Sequence, residues 1–494
     1  MMYEPEKSDS AIVAMKSANK TAVSKAAAEL MEPRAGTKGN MGQSRTRRTQ
    51  SRYSVSQRLD RVRNAARQRK KEKFTALLHH VSVELLLESF LALKRRAAPG
   101  VDGMTWQDYD ANLQENLQDL HKRVHSGAYR ALPVRRRFIP KADGKQRPLG
   151  IAALEDKIVQ RAVVTVLNAI YEEDFLGLSY GFRPARGQHD ALDALSVAIS
   201  HTRVNWILDA DIKGFFDNVN QEWLIKFLEH RIGDERIIRL VRKWLKAGVL
   251  EDGQWTNSEM GTPQGAVVSP LLANVYLHYV FDLWANQWRG REAKGNMIVV
   301  RYADDIVVGF EAQADARRFW DAMRERFKQF GLELHGGKTR LIEFGRFAAD
   351  RRKRRGQGRP ETFTFLGFTF ICGQTRSGAF VLQRKTRTDR MRAKLLEIKE
   401  QMRKRMHATI PEQGTWLRSV VTGFFAYHAV PTNLRALSAF RYHVVELWRK
   451  SLRRRSQKTK LTWERMTQLV NDWLPTPRIL HPWPDQRFAV KHPR

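Results

Sequence analysis

"VVRYADDIVVGF", residues 299–310, sets two β-branched apolar runs around an Arg, a Tyr, an Ala and two adjacent aspartates. Short runs rich in Val and Ile read as strands, and the polar break between them reads as a hairpin. Asp is a common turn residue, so the pair is either a polar turn or a carboxylate site presented at a sheet edge. The second reading implies phosphoryl chemistry, in which two Mg2+ ions roughly 3.5–4 Å apart clamp the attacking and leaving oxygens. Mg2+ takes hard oxygen ligands, so about three carboxylates must converge. A two-residue turn presents Asp304 and Asp305, and a neighbouring strand must supply the third. "LDADIKGFFD", residues 208–217, offers Asp209, Asp211 and Asp217. Asp209 and Asp211 share one strand face by period-two alternation, and position alone does not choose between them.

Composition narrows the chemistry. The 494 residues carry 87 Lys+Arg against 52 Asp+Glu, a net charge of +35, which points to a polyanionic partner. At 42% hydrophobic the chain can build a sizeable core, and its length suggests two to four domains. No apolar stretch approaches the ~18 residues of a membrane helix, and no signal-peptide core follows the N-terminus, so a membrane partner is not expected. The single cysteine, Cys372, excludes internal disulfides and Cys-rich zinc modules and fits a reducing cytosol. No HExxH, Walker A loop or strand-following GxGxxG occurs.

Residues 1–60 are basic and poor in large apolar side chains, and read as a disordered tail. Helical periodicity begins near Arg58 and is broken by "APGVDGMTW", after which Thr105 or Asp102 caps a new helix. "RRRFIPKADGKQRPLGIA" reads as two strands around a turn at Asp143-Gly144. Helices are expected over 153–173 and 187–201, and two more up to Lys246. A short strand pair is expected around "LELHGGKTRLIEFG", a basic Gly-rich loop at "DRRKRRGQGRP", and one strand in "ETFTFLGFTF". From about 385 the pattern is helical, basic and aromatic, and a domain boundary falls near 375, dividing 61–374 from 375–494. "LPTPRILHPWP" reads as an extended Pro-rich tail.

A triphosphate would need cations, and Lys141, Lys145 and Arg147 surround the tight hairpin. "GTPQGAVVSP" holds Gln264 between Pro and Gly, on a constrained backbone.

The order of "APGVDG", "IPKADGKQRPLGI", "YGFRPARGQHDAL", "DADIKGFFDNV", "GTPQGAVVSPLLANVYL", "RYADDIVVGF", "GKTRLIEFG" and "FTFLGFTF" resembles that of bacterial group II intron reverse transcriptases/maturases, over roughly residues 74–488. The resemblance implies an α+β right-hand polymerase, with fingers and an antiparallel palm sheet followed by a helical thumb/maturase domain. It implies RNA-directed DNA polymerisation and maturase binding of a group II intron RNA. Asp211, Asp304 and Asp305, with the Ile212 backbone carbonyl, match the family's site for two Mg2+ ions, and Asp209 becomes structural. Phe216 matches the aromatic that favours dNTPs by blocking a ribose 2′-OH. Lys141 and Arg147 match triphosphate contacts, Gln264 lines the nucleotide pocket, and Lys338 lies near the nucleotide or primer end. Tyr302 and Ala303 fall beside the primer terminus, and Arg453, Arg454 and Arg455 are candidate RNA contacts. The implied partners are intron RNA, an RNA template, a DNA primer, dNTPs and a DNA target, in a bacterial cytoplasm, with a homodimer as a candidate assembly. Two departures stand out. No Cys/His nuclease is expected after "RILHPWPDQRF", and Gly336-Gly337 precede Lys338 where Ser and a charged residue are expected. A domesticated defence or repair enzyme, or a splicing factor with little polymerase activity, are the competing readings.

Overall fold

The computed structural model describes residues 45–140, 146–251, 254–256, 260–262, 265–455 and 461–491. Lys141, Lys145 and Gln264 lie outside the described residues, as does the side chain of Arg147.

The first helix, α1 (Arg45–Gln68), starts inside the stretch expected to be a disordered tail. Val55, Leu59, Val62 and Ala66 recur at three- and four-residue spacing and are buried, so an apolar stripe docks a segment whose average composition is polar. α2 (Val83–Leu91) is capped by Ser82, α3 (Trp106–Ala111) by a Thr105–Asp108 capping box, and α4 (Leu113–Ser126) ends on left-handed Gly127. β1 (Val134–Pro140) and β2 (Gln146–Ile151) pair antiparallel, with Ile139 opposite Arg147. α5 (Leu154–Asp174) buries most of its length against α1 and α2, and α6 (Gln188–His201) follows.

β3 (Trp206–Asp211) leads into the one-turn α7 (Phe215–Asn218), then α8 (Gln221–Arg231) and α9 (Glu235–Lys246). β4 (Val249–Glu251) and β5 (Gln254–Thr256) extend the β1–β2 sheet. α10 (Ser269–Leu277), a π-helical turn over His278–Asp282, and α11 (Leu283–Arg291) make one long apolar rod. β6 (Met297–Tyr302), β7 (Asp305–Phe310), α12 (Gln313–Gln329) and β8 (Arg340–Glu343) complete the central unit. Its antiparallel sheet has the order β6-β7-β3-β8. Only one strand forms where a pair was expected, because Leu334 makes a single bridge to Ile212 and goes no further.

α13 (Ala348–Arg354) leads to β9 (Phe363–Phe365) and β10 (Phe368–Gln374). The single strand expected in "ETFTFLGFTF" is therefore a hairpin, folded at Leu366 (φ +47°) and Gly367 (φ +81°), the positive-φ pair of a tight I′ turn. β11 (Phe380–Thr386) pairs with β10 along seven residues, so a boundary at 374/375 would cut a sheet. The chain turns helical only at α14 (Thr388–Lys404), followed by α15 (Ile410–His428), α16 (Leu434–Arg453), α17 (Trp463–Trp473) and α18 (Pro484–Lys491). The Pro-rich tail is extended as expected, but it ends in α18, which packs back on α6.

Three large apolar clusters follow from this order, beside a small one of Val134, Ala152 and Val249. Alternate residues of the central sheet point to opposite sides. Leu208, Ala210, Val299, Ile306 and Val308 join the helical core of α1, α5 and α10. Ile207, Ile298, Val300, Val307 and Ile342 join Phe363, Phe365, Phe368 and Phe370 of the hairpin sheet. The third cluster lies among α14–α17 and is centred on Trp448, whose indole N–H donates to Gln413, and on the stacked Phe424–Phe440 pair. Trp448, Phe424 and Phe425 are thus core, while Tyr442 is exposed.

Buried Arg231 pins α1 to the core. It pairs with Asp174 at 2.7 Å and donates to the carbonyls of Ala66, Arg69 and Glu72. Arg231→Ala, which strands a buried carboxylate and three carbonyls, should cost about 3–5 kcal/mol in urea unfolding, and pairing Arg231→Met with Asp174→Leu should recover much of it.

Candidate active site

The aspartate face of the central sheet is covered at one end and open at the other. On β3, Ile207 is sealed beneath the second cluster, Asp209 sits at its margin, and Asp211 lies at the open end. Asp211 is the cross-strand partner of Asp305, which is the partner of Tyr302. Directly opposed side chains on one face have Cβ atoms about 4.5–5.5 Å apart, so strand register alone brings Asp211 and Asp305 together. The two-residue turn consists of Ala303 and Asp304, whereas the sequence reading put both aspartates in it; Asp305 opens β7.

Ala303 carries φ +57°, the left-handed region that favours Gly. It is over-determined from two sides. The Gly181 backbone lies against it so closely that a Cβ there would stand 2.2 Å from the Ala303 nitrogen. From below, the Arg301 guanidinium donates to the Ala303 carbonyl at 3.0 Å. Arg301 is fully buried and uses all five N–H donors: two on Asp282 (2.7 and 2.5 Å), one on Asn274 (3.0 Å), one on Ser179 (2.7 Å) and one on Ala303. Asn274 in turn donates to the Gly181 carbonyl at 2.7 Å. Asp282 ends the π-helical turn, and its carboxylate accepts two of the Arg301 bonds. The sequence reading missed this brace. Its signal was present: an Arg inside "VVRY" and an Asn inside "LLANVYL" interrupt apolar runs where a polar side chain must find partners.

The loop before β8 supports Asp211. Its backbone carbonyl accepts from His335 N–H at 2.8 Å, its N–H donates to Thr339 Oγ1 at 3.3 Å, and Lys338 Nζ stands 3.2 Å from its carboxylate. Ile212 is buried and bridges Leu334. Arg340 lies 3.7 Å from Asp209, which burial pushes up to about 6 against that cation's pull. Asp305 is pushed up to about 7, by burial and by Asp304, Asp211 and Asp209 in that order. Burial is the largest of these effects, and the like charges add to it.

Phe216 is half-buried, edge-on to Phe215 at 5.3 Å. Its carbonyl accepts from Thr262 at 2.8 Å, and left-handed Gly261 fits against it only because it lacks a Cβ. The segment leading to Gln264 is thus tied to the turn that carries Phe216. Arg453 and Arg454 are exposed at the end of α16, far along the chain from the acidic face, while Arg455 donates to the Ala408 carbonyl. Among the described residues no three His, Cys, Asp or Glu side chains are closed together as an ion-holding group. None of the helices among them is long and apolar enough to cross a membrane.

An antiparallel palm with an acidic hairpin at its open end is the frame of a template-directed polymerase. The family described as "Reverse transcriptase (RNA-dependent DNA polymerase)" matches residues 139–370. "Protein YkfC" of Escherichia coli is 38% identical over 261 residues, 46% of this chain and 68% of that protein. "Group II intron-encoded protein LtrA" of Lactococcus lactis is 36% identical over 222 residues, 44% of this chain but 37% of the relative. "Nuclear intron maturase 3, mitochondrial" of Arabidopsis thaliana is 29% identical over 25% of the chain and 17% of that protein. The chain belongs to the reverse transcriptase family, within its group II intron-encoded reverse transcriptase/maturase branch.

The raised Asp305 has a consequence for stability. Between the unfolded value near 3.9 and about 7 the folded protein holds a proton that the unfolded chain has lost, so stability falls as pH rises through this window. In metal-free protein, Asp305→Asn should flatten that fall and raise the melting temperature at pH 7.5, as read by calorimetry from pH 4.5 to 8. An unchanged pH profile would show that the Asp305 carboxyl is not raised in the folded protein.

Proposed function

We propose that this reverse transcriptase extends a DNA primer on an RNA template by a two-metal mechanism centred on Asp211, Asp304 and Asp305, and that it binds a group II intron RNA as a maturase. The observation that carries the site assignment is the register pairing of Asp211 with Asp305 beside a turn that presents Asp304. The donor set fits a hard divalent cation: it is all oxygen, Asp211 and Asp305 share one face, and burial together with the like charges of its members raises Asp305. The three carboxylates, with the Ile212 backbone carbonyl, would hold two Mg2+ ions. When bound, these supply charge neutralisation at the reacting phosphate.

The chain's own groups position the reaction. Arg301 holds the turn, and so fixes Asp304 and Asp305 relative to Asp211. Lys338 neutralises Asp211 in the absence of substrate, and is placed to swing to a nucleotide or primer phosphate. The half-buried Phe216 ring narrows the sugar site and favours dNTPs. Lys141 and Arg147, on the β1–β2 hairpin, bind the triphosphate, and Gln264 lines the nucleotide pocket. Tyr302 and Ala303 flank the primer terminus, where the close Gly181 backbone leaves little room for added bulk. Intron RNA, and a DNA target for intron mobility, are the larger partners, met in a bacterial cytoplasm. Exposed Arg453 and Arg454 are phosphate contacts for that RNA.

Primer extension on poly(rA)/oligo(dT) tests the assignment. Asp211→Ala and Asp304→Ala should each lower kcat by at least about 100-fold, the scale of losing a charge-stabilising group. Undiminished extension by both variants would refute the site. Arg301→Lys cannot reproduce the five-donor fork and should lower kcat with little change in KM for dNTP. Splicing at limiting Mg2+ separates the two roles: Asp304→Ala protein should still stimulate it, and a wild-type protein inert at every concentration would remove the maturase reading.

A further inference from the structure

The basic loop at "DRRKRRGQGRP" has no part in the site described above. From Arg346 to Arg359 the chain carries seven Arg/Lys and one Asp. These charges divide into two groups. Arg351 and Arg355 form ion pairs with Glu343, at 3.0 Å for Arg351, and the Glu343 side chain is only 4% exposed. Arg346 donates to the Ser200 carbonyl at 2.8 Å, and Arg352 closes the loop on the Gly358 carbonyl at 3.0 Å. These four build and anchor the arm. Lys353, Arg354 and Arg359 are exposed, and the exposed Arg203 lies on the adjoining turn, where Gly345 abuts the Val204 backbone.

A solvated loop needs no buried carboxylate to hold it, and like charges side by side on one short helix repel. A buried Glu committed to two arginines also carries a desolvation cost. The arrangement makes physical sense where a polyanion offsets the repulsion. The arm is also remote from the reacting atoms. Glu343 is the register partner of Trp206, five residues along β3 from Asp211, a separation of roughly 17 Å at strand rise.

We infer that residues 346–359 form a preformed phosphate-binding arm that grips a folded RNA outside the catalytic cleft, at the far end of the palm sheet. RNA, rather than another polyanion, rests on the reading of this chain as a reverse transcriptase/maturase. The exposed Arg forks suit phosphates bidentately, and an A-form helix is recognised mainly through its backbone.

The test measures binding of a labelled RNA hairpin by full-length protein whose cleft is saturated with unlabelled poly(rA)/oligo(dT), as a function of salt. Each phosphate contact contributes about 0.7–0.9 to the slope of log K against log salt. The variant Lys353→Gln, Arg354→Gln, Arg359→Gln should lower that slope by about 2–3 and weaken binding at least about tenfold, with unchanged melting temperature and primer extension. The charge-conserving variant Lys353→Arg, Arg354→Lys, Arg359→Lys should retain the slope. An unchanged slope in the Gln variant overturns the inference. So does loss of binding to poly-glutamate with RNA binding intact, which would make the arm a protein-docking surface. Because binding is read and not synthesis, an inactive wild-type protein that still binds the hairpin through this arm would overturn the proposed function while supporting the arm.

Discussion

The buried Arg301 guanidinium is the constraint on which the site depends. It ties together three segments of the chain: the strand that carries it, the Ser179–Gly181 stretch, and the rod of α10 and its π-helical turn, at Asn274 and Asp282. An Arg with even one unpaired donor at this depth would be costly, so the network is satisfied as a whole or not formed. Its outer end is the Ala303 carbonyl, and through it the core fixes a backbone conformation that alanine does not favour. Strain at the turn is thus held by a cooperative core, and the geometry of the carboxylates is set from beneath the sheet.

The upper face works by a different principle. Period-two alternation sends Ile207, Asp209 and Asp211 to one side of β3, and a graded cover does the rest. The Phe-rich hairpin sheet seals the first, reaches the margin of the second and leaves the third open. Carboxylates crowded at that open end repel, which is a cost to the empty protein and the condition for holding cations tightly. The whole chain carries +35 and this small patch is negative, so electrostatics favour a nucleic acid over the protein and cations at the patch.

The C-terminal helices are not simply appended. The hairpin sheet spans the point where composition turns helical, and α18 returns to α6, where Arg487 pairs with Asp190 at 3.1 Å and Asp193 at 3.4 Å. Asp193 also pairs with Arg384 of β11 at 2.8 Å. These buried contacts connect the chain's last helix to α6 and β11, which share the second apolar cluster with the aspartate-bearing face of the palm sheet. They explain why a boundary drawn from composition at 375 does not coincide with a boundary in packing.

Much was legible in the sequence because it rests on local rules. The strands around the aspartate pair, the helices at 154–174 and 188–201, the Thr105 cap and the antiparallel palm follow from periodicity, capping chemistry and motif order. The failures have one cause: each depends on partners remote in the chain. The polar helix at 45–68 is stable because four of its residues meet α5 and the core. A Phe/Thr run becomes a hairpin because β11 and the palm cover both its strands. By itself the sequence determined which residue types could do the chemistry and on which strand faces they lie. Only the tertiary structure decided that Asp211 stands opposite Asp305, that Asp304 alone of the pair is in the turn, and that Arg301 holds it there. Strand register and buried hydrogen-bond closure are properties of assembled segments, and no local stretch of sequence specifies them.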